Sequence, residues 1–529
     1  MKPQQAVILA AGFGMRMVPI NTEVPKGLLE VHGESLIERI IKQLHEAGVY
    51  EIYVVVGFMK ERYEYLVNAF GVKLVDNPEY ATKNNLYTLS LAKDHLRNAY
   101  VIPCDIWCNR NPFNNNEMHS WYMVSDQMKN RSPVRVDAHM KLSLQSPDLE
   151  GNTMIGIAFL NQEDAAITVR KLEELCRDCR FDNAFWEETL YDGECMSIDA
   201  RVVRASDVIE INTYEQLRVL DRDSVQLKTD AIQVICEVMN VNADAIEDIA
   251  VLKTGMTNRS FLFCCRGKKY IMRIPGEGTE KLINREEEAE VYHIVNGKKI
   301  CDTIAYINPK NGYKITEFLE GAHVCNPSDY DSVKKCMKLL RKFHDERLKV
   351  KHVFDIFEKI EFYESLWEGK ASGYIDYKQT KKNVYSLKPY IDEYAGERIL
   401  THIDAVPDNF LFVEENGKEK IRLIDWEYAG MQDPHVDVAM FGIYAMYNKQ
   451  QMDRLIDAYF EDSCDNITRI KIYCYISACG LLWSNWCEYK RNLGVEFGEY
   501  SLCQYQYAKD YYQIAKEGMK KLGANENDT

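Results

Sequence analysis

A-V-I-L-A-A-G-F-G-M-R, Ala6 to Arg16, decides how the first half of the chain folds. Ala6–Ala10 is an apolar run too short for a helix and suited to a strand buried on both faces. Glycines 12 and 14 follow at once. Lacking Cβ atoms, they let the chain turn sharply and bring backbone N–H groups toward a phosphate. A dinucleotide-binding fingerprint would carry a third glycine at position 17, where Met17 stands. Instead Arg16 and, ten residues on, Lys26 in V-P-K-G bring two cations to the same loop. Such a pair can neutralise nucleotide phosphates and stabilise charge on a departing pyrophosphate.

Working outward, Ser35–Ala47 places Leu36, Ile37, Ile40, Ile41 and Leu44 on one helical face and stops at Gly48. Glu51–Val56 reads as a second buried strand and Tyr100–Ile102 opens a third. Strand, helix and strand at this spacing make a βαβ unit, so a twisted parallel sheet with flanking helices is expected. V-I-P-C-D puts Asp105 at the carboxyl edge of that sheet, where open α/β sheets bind ligands and a carboxylate can hold Mg²⁺ against phosphate oxygens. V-I-E-I-N, Val208 to Asn212, reads as an edge strand returning a second oxygen ligand, Asn212 or Glu210. Between about 111 and 147, Asn114–Asn116 and prolines 112, 133 and 147 predict loops or an insertion.

The second half reads differently. Thr229–Met239 is helical; Ala250–Leu252, Phe261–Cys265, Tyr270–Ile274 and Tyr313–Phe318 are short antiparallel strands, with a helix at Arg285–Val295 among them. From Ser328 onward the pattern is mostly helical. The join is expected to be one short helical connector, Tyr214–Asp230, without a Gly/Ser linker. T-H-I-D-A-V-P-D-N-F-L, Thr401 to Leu411, has His402, Asp404 and Asn409 at the spacing of a protein-kinase catalytic loop, and I-D-W-E brings Asp425 sixteen residues later. Phosphoryl transfer to an alcohol needs these parts: Asp404 accepts the hydroxyl proton, while Asn409 and Asp425 hold Mg²⁺ against ATP. Upstream, L-K-T-G-M-T-N supplies Gly255, Thr257 and Asn258 for a turn over the nucleotide. Arg273 stands where protein kinases grip phosphate with lysine, Glu288 is its helical partner, and Glu317 lies in a hinge-like strand, T-E-F-L-E-G.

Composition narrows the class. The 529 residues are 46% hydrophobic and 28% charged with a formal charge of −16, which is ordinary for globular domains and argues against a nucleic-acid scaffold. No apolar run reaches the ~18 residues of a spanning helix. Membrane insertion is therefore not expected, and a cytoplasmic location is. The 16 cysteines are scattered; the one C-x-x-C, Cys176–Cys179, has no second pair at zinc-site distance, so reduced thiols are expected.

L-A-A-G-x-G-x-R, then P-K, then a strand-terminal Asp resembles the nucleotidyltransferases that join an NTP to a phosphorylated small molecule. N-P-E-Y-x-x-x-N-N-L-Y-T-L, Asn77 to Leu89, brings residues 1–225 nearest to the bacterial CTP:phosphocholine cytidylyltransferases. The resemblance implies that Asn84 or Asn85 places the nucleotide and that Asp105 holds metal. Asn212 joins it where relatives usually carry Asp. In F-W-E-E, Trp186 is a ring face for the acceptor or a core residue, and Glu187 a counter-charge. Residues 226–529 resemble the choline kinases within the aminoglycoside-phosphotransferase-like kinases, through L-K-x-G-M-T-N, R-I-P-G, I-N-R-x-x-E, H-x-D-x-x-x-x-N and I-D-W-E-Y-A-G, with Glu427 on the substrate side. A quaternary ammonium has no N–H to donate and is held by aromatic faces. Trp483, Trp486 and Tyr507 match the choline-pocket positions of that family, with plain core packing as the alternative.

The fold class implied is α/β: a Rossmann-like nucleotidyltransferase with a mixed sheet flanked by helices, then a bilobal protein-kinase-like α+β domain. The paired reactions use ATP to phosphorylate choline and CTP to convert phosphocholine to CDP-choline. Rival readings are a sugar kinase fused to a sugar-1-phosphate nucleotidyltransferase, the same pair acting on ethanolamine, antibiotic phosphorylation by the second half, or loss of catalysis in either half to leave a nucleotide-binding module.

Overall fold

The computed structural model describes residues 1–144, 148–190, 198–252, 258–276, 279–495 and 497–526. The chain forms two compact units, 1–254 with 260–267, and 255–259 with 268–529.

In the first unit the apolar run becomes the strand Gln5–Ala10, an internal strand of a seven-stranded sheet. It pairs in parallel with Glu51–Val56 on one side and Ala99–Pro103 on the other. Lys73–Asp76 extends the sheet in parallel beyond Glu51–Val56. On the other flank Gly151–Leu160 runs antiparallel, followed by Trp121–Lys129 and Asp199–Val203. The sheet is thus mixed. The intervening helix, Leu36–Glu46, is capped by Ser35, whose hydroxyl accepts from Glu38 N. Such a cap is worth about 1 kcal/mol, and the expected apolar face is buried.

Two expectations need correction. The stretch read as loops between 111 and 147 contains Trp121–Lys129, an internal strand of the sheet. Its first five residues are buried and its last four exposed, so the polar half masked the apolar half. The connector is not one helix either. Tyr214–Leu220 begins at a capping box made by Thr213 and Gln216, a 3₁₀ turn follows at Val225–Leu227, and a new helix, Asp230–Met239, starts at the Thr229 cap. Two N-caps in one segment demand two helices. The antiparallel strands Ile246–Val251 and Asn258–Cys265 come next.

The second unit holds Lys268–Pro275, Lys314–Glu317 and Ile304–Ile307 as neighbouring antiparallel strands, with the helix Arg285–Val295 between the first and the last in sequence. Its helical part centres on Asn466–Asn492, buried continuously from Ile470 to Glu488. A helix apolar on every side belongs inside a protein core or a membrane; here its neighbours include Glu499–Glu526, His435–Tyr444 and Ile356–Ser365. Among the described residues no helix is long and apolar enough to cross a membrane. Close approach is set by Gly480, where a Cβ would stand 2.7 Å from Gln504 O and 2.9 Å from Ala508 N.

Candidate active sites

In the first unit the turn after Gln5–Ala10 and the end of Ala99–Pro103 open side by side, which brings Gly12, Gly14, Lys26, Asn84, Asn85 and Asp105 around a cleft of about 350 Å³. Gly14 has φ +68°, and a Cβ there would meet the Lys26 side chain at 3.4 Å. The glycine therefore provides both the turn and the room for the lysine. Lys26 Nζ donates to Asp105 and, at 2.8 Å, to Asn212 Oδ1, which also accepts from Arg16 Nη2 at 2.8 Å. Lys26 and Asp105 line the cleft, and these bonds tie Asn212 and Arg16 to them. The other oxygen of Asp105 is buried without a hydrogen-bond partner among the described residues, and Glu210 lies on the short strand Val208–Glu210 leading to Asn212.

Asn84 and Asn85 have different tasks. Asn84 caps the helix Asn85–Ser90 and donates from Nδ2 to Asn183 O at 3.1 Å. Asn85 Oδ1 accepts from Trp186 N at 2.8 Å and so ties the helix to the segment 186–190. Trp186 is 1% exposed and packs against Tyr122 in the core; its faces are covered by protein. Glu187 beside it accepts from Tyr122 Oη at 2.9 Å, while its Oε2 is buried without a partner among the described residues. Burial pushes the Glu187 carboxyl up to about 7, the nearby Glu210 adding to the effect. Lys83, also on the cleft wall, was not singled out from sequence; it pairs with Glu79 at 2.9 Å and lies over the Tyr87 ring.

In the second unit the loop after the strand Ile399–Thr401 carries Asp404 into the 3₁₀ turn Pro407–Asn409. Asn409 Nδ2 donates to Asp404 O at 2.9 Å and to Asp404 Oδ2 at 3.2 Å. The Asp404 carboxyl is pushed up to about 8, by burial first and then by the charges of Asp425 and Glu427. Glu427 rises to about 7 through burial and Asp425. Asp404, Asp425 and Glu427 are thus close enough for their charges to bear on one another, and Arg273 and Arg285 lie within 4 Å of Glu427. Asp425 itself is held at φ +66°, in the left-handed region that non-glycine residues rarely occupy.

Arg273 and Glu288 form the expected buried ion pair, the second arm closing at 2.8 Å, and Arg273 also donates to Gly312 O. Burial works against ionising Glu288, but the Arg273 charge prevails and takes its carboxyl down to about 2. Asn258 donates to Glu427 at 3.0 Å. The backbone N–H of Glu317 donates to Thr303 O. Gly255 and Thr257 lie outside the described residues.

Trp483 and Trp486 meet edge to face at 5.6 Å. Tyr428 stands perpendicular to Trp483, and Phe497 lies against Trp486 and Tyr500. The charge of Asp404 is felt at Tyr428 and Tyr500; these rings, with the two tryptophans, make the aromatic neighbourhood of the loop. Tyr507 makes a different connection, its hydroxyl donating to Tyr447 O at 2.8 Å. Phe497 and Tyr428 carried no signal at helical spacing, because each comes from a loop that tertiary folding brings to the tryptophans.

Two further residues support this centre. Asp437 accepts from His402 N at 2.9 Å and Ile403 N at 2.7 Å and contacts His344 Nε2 at 3.0 Å, anchoring the loop where Ile403 sits at φ +69°. Arg285, inside I-N-R-x-x-E, pairs with Glu288 at 2.9 Å and Glu427 at 3.5 Å.

Among the described residues no group of three or more His, Cys, Asp or Glu side chains could hold a metal alone. One or two protein oxygens completed by nucleotide phosphates is the usual Mg²⁺ arrangement. The unpartnered oxygen of Asp105 fits it in the first unit, and the side-chain oxygens of Asn409 and Asp425 would serve in the second.

Residues 6–113 match the MobA-like NTP transferase domain model, and residues 249–476 the choline/ethanolamine kinase model. A choline-phosphate cytidylyltransferase of Streptococcus pneumoniae is 30% identical over 221 residues, which are 41% of this chain and 96% of that protein. Protein LicA of Haemophilus influenzae is 28% identical over 265 residues, 47% of this chain and 95% of that one. The solved choline kinase LicA from Streptococcus pneumoniae is similar with a TM-score of 0.46 and 28% identity, covering 53% of this chain and 98% of that one. Here, then, is a transferase that couples a nucleotidyltransferase region to a kinase region. The chain belongs to the choline-phosphate cytidylyltransferase family, with a choline/ethanolamine kinase-like region joined to it.

Proposed function

We propose that the chain makes CDP-choline in two steps, residues 226–529 phosphorylating choline with ATP and residues 1–225 transferring a cytidylyl group from CTP to the phosphocholine formed. The observation that carries the reading is the convergence of Asp404, Asn409 and Asp425 beside paired tryptophans. Asp404 accepts the hydroxyl proton of the alcohol as its oxygen attacks the γ-phosphorus, ADP leaving. Asn409 and Asp425 would hold Mg²⁺, and Arg273, kept in place by Glu288, faces the nucleotide phosphates. Trp483 and Trp486, with Tyr428 and Tyr500, receive the trimethylammonium group, each ring contributing about 0.5–2 kcal/mol.

In the cytidylyl step the phosphate of phosphocholine attacks the α-phosphorus of CTP and pyrophosphate leaves. Lys26 and Arg16 stabilise the charge that collects on the leaving group; both exchange the Asn212 amide for phosphate oxygens. Asp105 and Asn212 would hold Mg²⁺, and Glu187 is the counter-charge for the ammonium. When bound, the metal would supply charge neutralisation for an in-line displacement. Both nucleotides and the metal are used in a cytoplasmic setting.

The test is incubation of the purified chain with ATP, CTP, Mg²⁺ and a panel of choline, ethanolamine and hexoses, products being read by mass. ADP, phosphocholine and CDP-choline are expected with choline; preferential turnover of a hexose would overturn the reading. Trp486→Ala should raise the KM for choline at least tenfold and leave that for ATP within twofold. Equal changes in both would remove the tryptophan from the pocket.

A further inference from the structure

Lys314 opens the strand Lys314–Glu317 and stands directly opposite Arg273 across the antiparallel pair. Two like charges facing each other on a sheet normally destabilise it, and here both are buried. What Lys314 touches accounts for its presence. Its ammonium donates to Tyr292 Oη at 2.6 Å, lies 4.2 Å from the centre of the Tyr292 ring and stands 3.8 Å from Glu288 Oε1. Tyr292 is four residues beyond Glu288 on the helix Arg285–Val295, hence on the same face. The same Tyr292 oxygen accepts from the backbone N–H of Trp426 at 3.5 Å, and Trp426 directly follows Asp425. The hydroxyl oxygen thus joins three parts: the sheet through Lys314, the helix that carries Glu288, and the turn that keeps Asp425 in a rarely populated backbone conformation.

We infer that Lys314, acting through Tyr292, is a positioning residue for phosphoryl transfer, setting the Glu288 helix and the Asp425 turn in register with each other. This rests on the kinase reading for its kinetic consequence and on contacts alone for its mechanical one. Neither residue belongs to the motifs from which the kinase region was recognised, and neither touches Asp404, Trp483 or Trp486 in the contacts described.

The test compares Tyr292→Phe, which keeps ring and volume and deletes the oxygen, with Lys314→Met and the charge-conserving Lys314→Arg in the full-length protein. Steady-state choline phosphorylation is measured alongside hydrogen exchange of peptides spanning 421–430 in protein free of metal and nucleotide. Tyr292→Phe is expected to lower kcat roughly tenfold with the choline KM within twofold, and to speed exchange in that peptide several-fold. Lys314→Met should do the same more strongly, and Lys314→Arg should recover part of the loss. Unchanged kcat and unchanged exchange in a folded Tyr292→Phe protein would overturn the inference, even if Lys314→Met failed to fold. If wild-type protein did not phosphorylate choline the kinase reading would fail, while the exchange experiment would still decide whether the contact holds the turn.

Discussion

Asp404 feels the charges of Asp425 and Glu427, and the cost of ionising it there is measurable. With its carboxyl near 8, Asp404 takes up a proton on folding that an unfolded chain near pH 7 would not hold. A folded-state carboxyl raised above its unfolded value makes stability fall as pH climbs from about 4 toward 8. Asp404→Asn removes that cost. It should abolish phosphorylation yet raise the melting temperature of the nucleotide-free protein by roughly 2–4 °C for each ~1 kcal/mol relieved; a melt at or below wild type would refute the electrostatic account. The same groups set the pH profile. A proton acceptor must be ionised to work, so kcat/KM for choline should rise with pH along a limb between about 7 and 8, reporting the free enzyme. A flat profile over that interval would separate proton transfer from Asp404.

At the scale of elements, the helix Asn466–Asn492 carries both tryptophans and depends on Gly480 to lie against Glu499–Glu526. Alanine at 480 would gain about 1 kcal/mol in helix propensity. Its Cβ, however, would stand within 3 Å of backbone atoms of Gln504 and Ala508, and backbone cannot rotate away as a side chain can. Overpacking of this kind costs about 1–3 kcal/mol. Gly480→Ala is therefore expected to lower the melting temperature of the kinase region and weaken choline binding, measured by calorimetry and by KM. Ser477 Oγ, which donates to Ala508 O at 2.7 Å, fastens the same pair of helices.

At the scale of the whole molecule, two sites imply two separable activities. Lys26→Ala or Asp105→Ala should suppress pyrophosphate release from CTP and phosphocholine by at least a hundredfold while ADP production from ATP and choline continues. Loss of both activities in a folded variant would contradict two independent centres. Much of this plan was legible in the chain itself. Gly12, Gly14, Lys26 and Asp105, and likewise Asp404, Asn409 and Asp425, occur in short segments whose local geometry follows from their own residue types. What was not legible depended on contacts between distant segments. The strand Trp121–Lys129 was hidden because half of it leaves the core; whether Trp186 faces pocket or core depends on Tyr122 lying beside it; Tyr507 stands at a position matched by family resemblance, and its hydroxyl donates to Tyr447 O. By itself the sequence determined the glycine turn after the first strand, the Asp404–Asn409 loop and the helix and strand periods around them, since turns, caps and alternating burial are set within a dozen residues. The tertiary structure alone decided which aromatic rings gather near Asp404, how Lys314 reaches the Asp425 turn through Tyr292, and which buried carboxylates crowd one another, because burial and Coulomb interaction depend on distance in space.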